Sequence, residues 1–359
     1  MNNQRVTRLI LLFSVLFLAQ IGFAATRWVE GRELTVCGKN SNIASHNYCR
    51  LPISLTHNDA DLKAEGELSS GISVRFTTNA ETISIRWKVR HQENLSHLTP
   101  CAANCFDLYA APTTNKWVWI GNTMQLNEKG RCSLVLGGSG KMCDYELFFP
   151  LNAIVDSLFI GVNEEAYLME YSNKKGEENP IVLFGSDRAK GFSASRSGLS
   201  TSALLSRSIN REVLNLGIGN LANFDELMAD ILVTTRPSAI VIDCNNNMTP
   251  KGIIERCIPF VDQLCIVFPN TPILLVEQAL PADNDYHLAE YEEIKATNKA
   301  LERAYKMLVA SGLKNVYYMS AYTYNTNECS VDGIHFNDIG LKEYVQRLSE
   351  ILSKVLPKK

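Results

Sequence analysis

The sequence lacks a surplus of positive charge. Its 35 Lys and Arg face 38 Asp and Glu, for a formal net charge of −3, and no stretch gathers the basic residues into the face that nucleic acid requires. Nucleic acid is therefore not an expected partner. Beyond the first 25 residues no apolar run is long enough to span a bilayer. Nucleotide-binding glycine patterns are missing too. Gly185 to Gly191 has no second Gly followed by Lys and Ser/Thr, and Gly217-Ile218-Gly219 lacks the third spaced glycine of a dinucleotide turn. Histidine is scarce, at six residues, and in the C-terminal half only His287 and His335 occur. That half shows no metal-ligand constellation, and no cofactor is expected.

Two features stand out in what is present. Arg5 and Arg8 precede an apolar run from Leu9 to Phe23, and the small residues Gly22, Ala24 and Ala25 close it. This is the order of a cleavable signal peptide, expected over residues 1–24. No Cys follows the run to take a lipid, so the expected mature chain is exported, to the periplasm or beyond. Cysteine usage agrees. Of ten Cys, six fall early, and they pair naturally as neighbours: Cys37 with Cys49, Cys101 with Cys105, Cys132 with Cys143. Disulfides suit an oxidising compartment better than a zinc reading of Cys101-Ala-Ala-Asn-Cys105, which lacks a second well-placed ligand pair. Cys244, Cys257, Cys265 and Cys329 sit in or beside apolar segments and suit core thiols as well as bridges.

The chain divides into two rhythms. From about Trp28 to Glu170 apolar and polar residues alternate, as in Gly71–Thr77, Thr82–Val89, Lys116–Ile120, Tyr145–Phe149 and Asp156–Gly161, without a convincing helix. Such alternation between turn residues predicts an antiparallel, jelly-roll-like β-sandwich over residues 25–175. Trp117 and Trp119 suit either its core or a sugar-stacking surface. The polar segment Tyr171–Pro180 marks the boundary. After it, over residues 176–359, short apolar runs alternate with amphipathic helices. The strands are expected at Ile181–Gly185, Glu212–Leu216, Ala239–Asp243, Pro272–Glu277 and Val316–Met319. Five such strands predict a parallel sheet covered by helices on both faces, a three-layer α/β domain of flavodoxin-like form. Ligands of such sheets sit outside the carboxyl ends of the strands.

The strand ends carry Gly185-Ser186-Asp187, Asn215-Leu216-Gly217-Ile218-Gly219-Asn220 and Asp243-Cys244-Asn245-Asn246-Asn247, and the loop before the last helix holds Asp332-Gly333-Ile334-His335. An Asp three residues before a His, on a turn into a helix, can reach back to the imidazole. It then fixes the tautomer and leaves the other nitrogen to move protons near neutral pH. Asn337 or Asp338 is the expected cap of that helix. His287 has no such partner.

These four stretches, with Phe192–Arg196, Gly198, Ser206-Arg207 and Val331–Gly340, resemble the sequence blocks of the SGNH (GDSL-like) hydrolases, most closely a secreted bacterial branch in which a β-sandwich precedes the hydrolase domain. The resemblance covers nearly all of the chain after the signal peptide. It implies ester hydrolysis, most plausibly deacylation of carbohydrate, with Asp332 and His335 as catalytic residues. It also implies that Asn247 donates to an oxyanion hole. The second block departs from the pattern, setting Gly219 one residue early and Asn220 at the usual glycine. The first block departs further. Counting from Gly185, the position of the family's serine holds Asp187, with Ser186 beside it. Three readings stay open: catalysis through Ser186, catalysis through the Asp187 carboxylate, or a degenerate site that binds glycans without hydrolysing them.

Overall fold

The structure is a computed structural model that describes residues 25–40, 48–113, 116–136, 140–171, 179–245, 248–281, 286–323 and 328–356. The expected signal peptide and Asn247 lie outside these residues. The N-terminal half forms two antiparallel sheets. One has the order β1 (Thr26–Glu30), β9 (Ala153–Asn163), β4 (Thr82–His91), β7 (Lys129–Val135). The other runs β10 (Leu168–Glu170), β3 (Ser73–Thr78), β8 (Cys143–Phe148), β5 (Asp107–Thr113), β6 (Lys116–Asn122), with β2 (Thr35–Cys37) also on β3. The alternation of β4 is resolved as predicted: Ile83, Ile85, Trp87 and Val89 are buried and Arg86, Lys88 and Arg90 face water. They meet Val74, Phe76, Leu108 and Leu147 of the opposite sheet in one core.

The expectation of no helix in this half is corrected by helices at Ile53–Thr56, Ala60–Glu67 and Pro100–Asn104. The second of these buries only Leu62 and Gly66, too few apolar positions to show a period. Asp59 caps it by accepting from the Leu62 N–H. Trp117 is half-buried against Tyr109, Phe148 and Ala203, and exposed Trp119 donates from Nε1 to Asp107.

None of the three expected pairs is joined by a disulfide among the described residues. Cys101 and Cys105 lie in sulfur–sulfur contact at the two ends of one helical turn. Cys132 and Cys143 sit in different sheets, and the cysteine that acts on Cys132 is Cys105.

The C-terminal half is a five-stranded parallel sheet of order β12 (Val213–Gly217), β11 (Ile181–Gly185), β13 (Ala239–Asp243), β14 (Ile273–Val276), β15 (Val316–Met319). Every residue of β11 is buried, as a strand covered on both faces requires. Its register sets Gly185 beside both Gly217 and Asp243, so three strand ends finish level. The sandwich half reaches into both helical layers. Leu51 and Leu62 join the core on one face, and Leu98, Ala102, Ala103 and Leu151 join the core on the other. Arg50 is completely buried between the halves, donating to the carbonyls of Leu68, Asn215, Gly217 and Glu65.

Candidate active site

The tight exit from β11 leaves no room for a side chain at position 185, where a Cβ would stand 2.2 Å from the Asp243 carbonyl oxygen. Ser186 follows, then a single helical turn, Asp187–Lys190, closed by Gly191 in the left-handed region at φ 79°. Asp187 therefore starts a helix at the carboxyl edge of the sheet. Beneath it, Arg188 donates to the buried Asp243 carboxylate and to the Glu277 carbonyl, and Tyr344 donates to Asp243 as well. These contacts engage Asp243 and leave Asp187 as the forward carboxylate.

The Asp332–His335 turn closes on itself. One Asp332 oxygen accepts the backbone N–H groups of Ile334 and His335 at 3.1 and 2.8 Å, and the other meets His335 Nδ1 at 2.7 Å. Asn337 caps the final helix, Asp338–Val355, by accepting from Ile339 and Gly340. Asp338 instead accepts from the Ser195 N–H and hydroxyl. The second nitrogen of the ring, Nε2, points at Asp187 Oδ2 across 3.7 Å, a charge contact rather than a hydrogen bond.

Behind Asp187, a chain of alternating charge runs into the sandwich half. Lys190, 2% exposed, stands 3.6 Å from Asp187 Oδ1 and donates to both oxygens of Glu65 at 3.0 and 3.1 Å. Glu65 lies 3.6 Å from Arg50. Gly219, at φ 58°, approaches from β12, and a Cβ there would come within 3.0 Å of Asp187 Oδ1. Asn220 is exposed at the rim.

Electrostatics follow from this layout. The Asp187 carboxylate raises the His335 pKa above its ordinary value; burial opposes it, and Asp332 adds to the rise. Burial pushes Asp187 up, but His335, Lys190 and His97 together outweigh it and take the carboxyl below its usual range. Burial likewise works against Asp332, yet the hydrogen bonds from the His335 and Ile334 groups hold it at about 2. Both carboxylates thus favour the protonated form of the ring.

A third member comes from the sandwich half. His97 stacks flat on His335, with ring centroids 3.8 Å apart and planes within 3°. Burial lowers the His97 pKa, and the charge of His335 lowers it further. His97, Asp332 and His335 place ligand-type atoms within 4.8 Å of one another. Parallel stacked rings, however, hold their lone pairs in separate planes, so one ion cannot lie in both.

Glu65, His97, Asp187, Lys190, Gly219, Asp332 and His335 line a cleft of ≈ 1140 Å³ between the two halves, which also takes in Ser186, Phe192, Leu280 and Ile334. Ser186 is buried and makes no hydrogen bond to His335; the described ring partners are Asp187, Asp332 and His97. His287, also in the lining, is exposed and 4.0 Å from Glu290. Sequence reasoning brought together Asp187, Asp332, His335 and Gly219. It missed Lys190, although the spacing from Asp187 is one helical turn, and it missed His97 and Glu65, which arrive from the other half.

Comparison with known proteins bears on both halves. Residues 178–353 match the model of the GDSL-like Lipase/Acylhydrolase family. Residues 26–168 match the N-terminal domain of SGNH-hydrolase-type esterases, named GxDLY; the Asp-Leu-Tyr of that name falls here at Asp107-Leu108-Tyr109, with Cys105 where the name has Gly. A GDSL-like lipase of Bacteroides ovatus superposes with a TM-score of 0.85 at 28% identity, over 92% of this chain and 98% of that one. The salicylyl-acyltransferase of a tetracycline biosynthetic pathway gives 0.71 at 14% identity, over 93% and 99%. An acetyl xylan esterase of Butyrivibrio proteoclasticus gives 0.56 at 10% identity, over 91% and 98%. The last two likenesses are of fold alone. No curated protein matches the chain. With both halves matched in order and Asp332 and His335 poised at the sheet's carboxyl edge, the chain belongs to the GDSL-like lipase/acylhydrolase (SGNH) family of ester hydrolases, in the form that carries the SGNH-type N-terminal domain.

Proposed function

We propose that this chain is an exported carbohydrate O-acyl esterase, most plausibly a deacetylase, in which the Asp187 carboxylate takes the part of the family's serine. The observation that carries this reading is the line Asp332–His335–Asp187, with contacts of 2.7 and 3.7 Å on the two ring nitrogens. Asp187 takes a proton from a water as its oxygen attacks the acyl carbonyl. The resulting oxyanion is met by backbone N–H groups at the start of the Asp187–Lys190 helix and by Gly219, with Asn247 as the expected side-chain donor. The C–O bond to the sugar then breaks, and the His335 imidazolium protonates the departing alkoxide. A proton passing from Asp187 to His335 resets the pair.

Carbohydrate as the alcohol is supported by the fold shared with an acetyl xylan esterase and with a family two carbohydrate esterase from Clostridium thermocellum bound to cellohexaose, the latter with a TM-score of 0.56 at 12% identity. Export rests on the N-terminal charge, apolar run and small residues. In an oxidising compartment Cys101 and Cys105 are the pair best placed to bridge.

The test is turnover of a chromogenic acetate ester and of acetylated xylan by the parent, Asp187→Asn, Asp187→Ser and Ser186→Ala. Activity in the parent that survives Ser186→Ala and is lost in Asp187→Asn is the expected result. The second reading, glycan binding without hydrolysis, is favoured by the raised His335 pKa, which works against the neutral base that serine activation needs. A silent parent in which Asp187→Ser creates turnover selects that reading.

A further inference from the structure

We infer that His97 is a positioning residue for His335, through which the sandwich half fixes the plane of the proton-donating ring. The inference rests on the reading of His335 as the site's acid. His335 must point two nitrogens at two carboxylates at once, 2.7 Å to Asp332 and 3.7 Å to Asp187. Asp332 restrains the ring at Nδ1 but leaves it free to rock about that bond, and a swing of Nε2 would break the longer contact first. A flat partner at 3.8 Å and 3° stops that rotation.

His97 is itself held firmly. Leu98 beside it is buried in the core beneath the C-terminal sheet, the Leu98 N–H donates to the Leu95 carbonyl, and the Thr99 hydroxyl donates to the Ser195 carbonyl. The His97 Nε2 atom is buried without a hydrogen-bond partner among the described residues. Hydrogen bonding at that nitrogen is therefore not what holds the ring; its ring neighbours are His335, stacked flat at 3.8 Å, and Phe192, tilted by 42° at 6.4 Å. The groups facing it are Asp187, Asp332, Lys190 and His335. An uncharged ring is the form of His97 that can lie against an imidazolium without repulsion.

The test compares His97→Phe, which keeps a flat ring, with His97→Gln and His97→Ala, which do not. Two quantities are read: the downfield proton resonance of His335 Nδ1–H, which needs no turnover, and acetate-ester turnover near pH 7. The resonance is expected to persist in the parent and in His97→Phe, and to broaden or vanish in the Gln and Ala variants. Turnover should fall by about threefold to tenfold in those two, the fold-change equivalent of one stacked ring pair, and by less than about twofold in His97→Phe. A resonance unchanged in Gln and Ala, or lost equally in all three variants, overturns the positioning role. Should the parent show no turnover, the resonance alone decides the matter, so failure of the esterase reading is told apart from failure of this one.

Discussion

Asp187 Oδ2 faces His335 Nε2 at 3.7 Å, and Asp187 stands two residues after Gly185, where the family resemblance leads one to expect serine. On the proposed mechanism a carboxylate there inverts the role of the imidazole, because it favours the charged ring and so turns a base into an acid. The consequence appears in the pH profile. Turnover should be highest where Asp187 is ionised and His335 protonated, and should decline as pH rises through the raised His335 pKa. A serine–histidine site gives the opposite slope over that range, as the histidine loses its proton and becomes active. Measuring kcat/KM between pH 5 and 9 distinguishes the two.

The same linkage reaches stability. A His335 pKa raised on folding stabilises the native state fully below the unfolded value and gives that contribution up as pH rises through the folded value. Asp332, held at about 2, acts in the other direction: its contribution is present above the ordinary carboxylate range and is lost as pH falls towards 2. Thermal melting across this range should show an alkaline decline that disappears in His335→Gln, while the acid decline attributable to Asp332 shrinks in Asp332→Asn.

Isotope labelling separates a base from a nucleophile at Asp187. If the carboxylate activates water, a single turnover in oxygen-18 water places the label in the released acetate and none in the protein. Attack by Asp187 itself would pass the acyl group through an anhydride whose hydrolysis can leave label in the Asp187 side chain, detectable by peptide mass. Label in acetate only is expected. Asp187→Asn should lower turnover by at least about a hundredfold, the usual size of a lost general base, and return the His335 titration midpoint towards its ordinary value.

The α/β half was legible in the sequence because its information is local. Each strand is an apolar run between amphipathic helices, and the Asp332–His335 turn is built within four residues. Asp187 could be flagged by counting from Gly185. What escaped depends on the packing of one half on the other. Nothing near His97 in the sequence announces that Leu98 will be buried in the same core as Phe336 and Leu341, and it is that burial which brings the ring to His335. Glu65 lies on a helix with two buried positions, too weakly patterned to be seen, and its role depends on Lys190, far along the chain. The Asp107-Leu108-Tyr109 segment reads as a strand alone; its charge has a partner only once Arg196 is in place.

Gly219 tests the space around the carboxylate. Its φ of 58° and the 3.0 Å from a virtual Cβ to Asp187 Oδ1 are separate constraints. Gly219→Ala should cost about 1–2 kcal/mol through the left-handed backbone alone, a fall in melting temperature of roughly 2–8 °C. The methyl group also displaces Asp187 from His335, so turnover should fall further than the stability loss explains, and the His335 midpoint should drop. Gly219→Asn separates the two constraints, since asparagine tolerates the backbone conformation yet still carries the intruding Cβ.

Asp107 ties the halves together and should prove the most sensitive position outside the cleft. Its carboxylate is 1% exposed and accepts from Arg196 Nη1 at 2.7 Å, from the Gly198 N–H at 2.9 Å and from Trp119 Nε1 at 2.6 Å. Burial raises its pKa, and the Arg196 charge and the hydrogen bonds from Arg196, Trp119 and Gly198 oppose that rise. Asp107→Ala takes the carboxylate from a partly buried guanidinium, leaving it the Tyr109 hydroxyl, and leaves the buried Gly198 N–H without its acceptor, at a cost of about 3–5 kcal/mol. Asp107→Asn keeps one acceptor oxygen and should cost less, about 1–3 kcal/mol. The loss should also be felt at the site. Arg196 adjoins Ser195, whose carbonyl accepts from Thr99 and whose N–H and hydroxyl donate to Asp338, so the His97 loop and the start of the final helix share this anchor. Urea unfolding should show the ordering parent, Asn, Ala, with ester turnover falling in the same order. Equal stability of Asn and Ala would mean that the charge of Asp107, rather than its acceptor oxygens, holds the two halves in register.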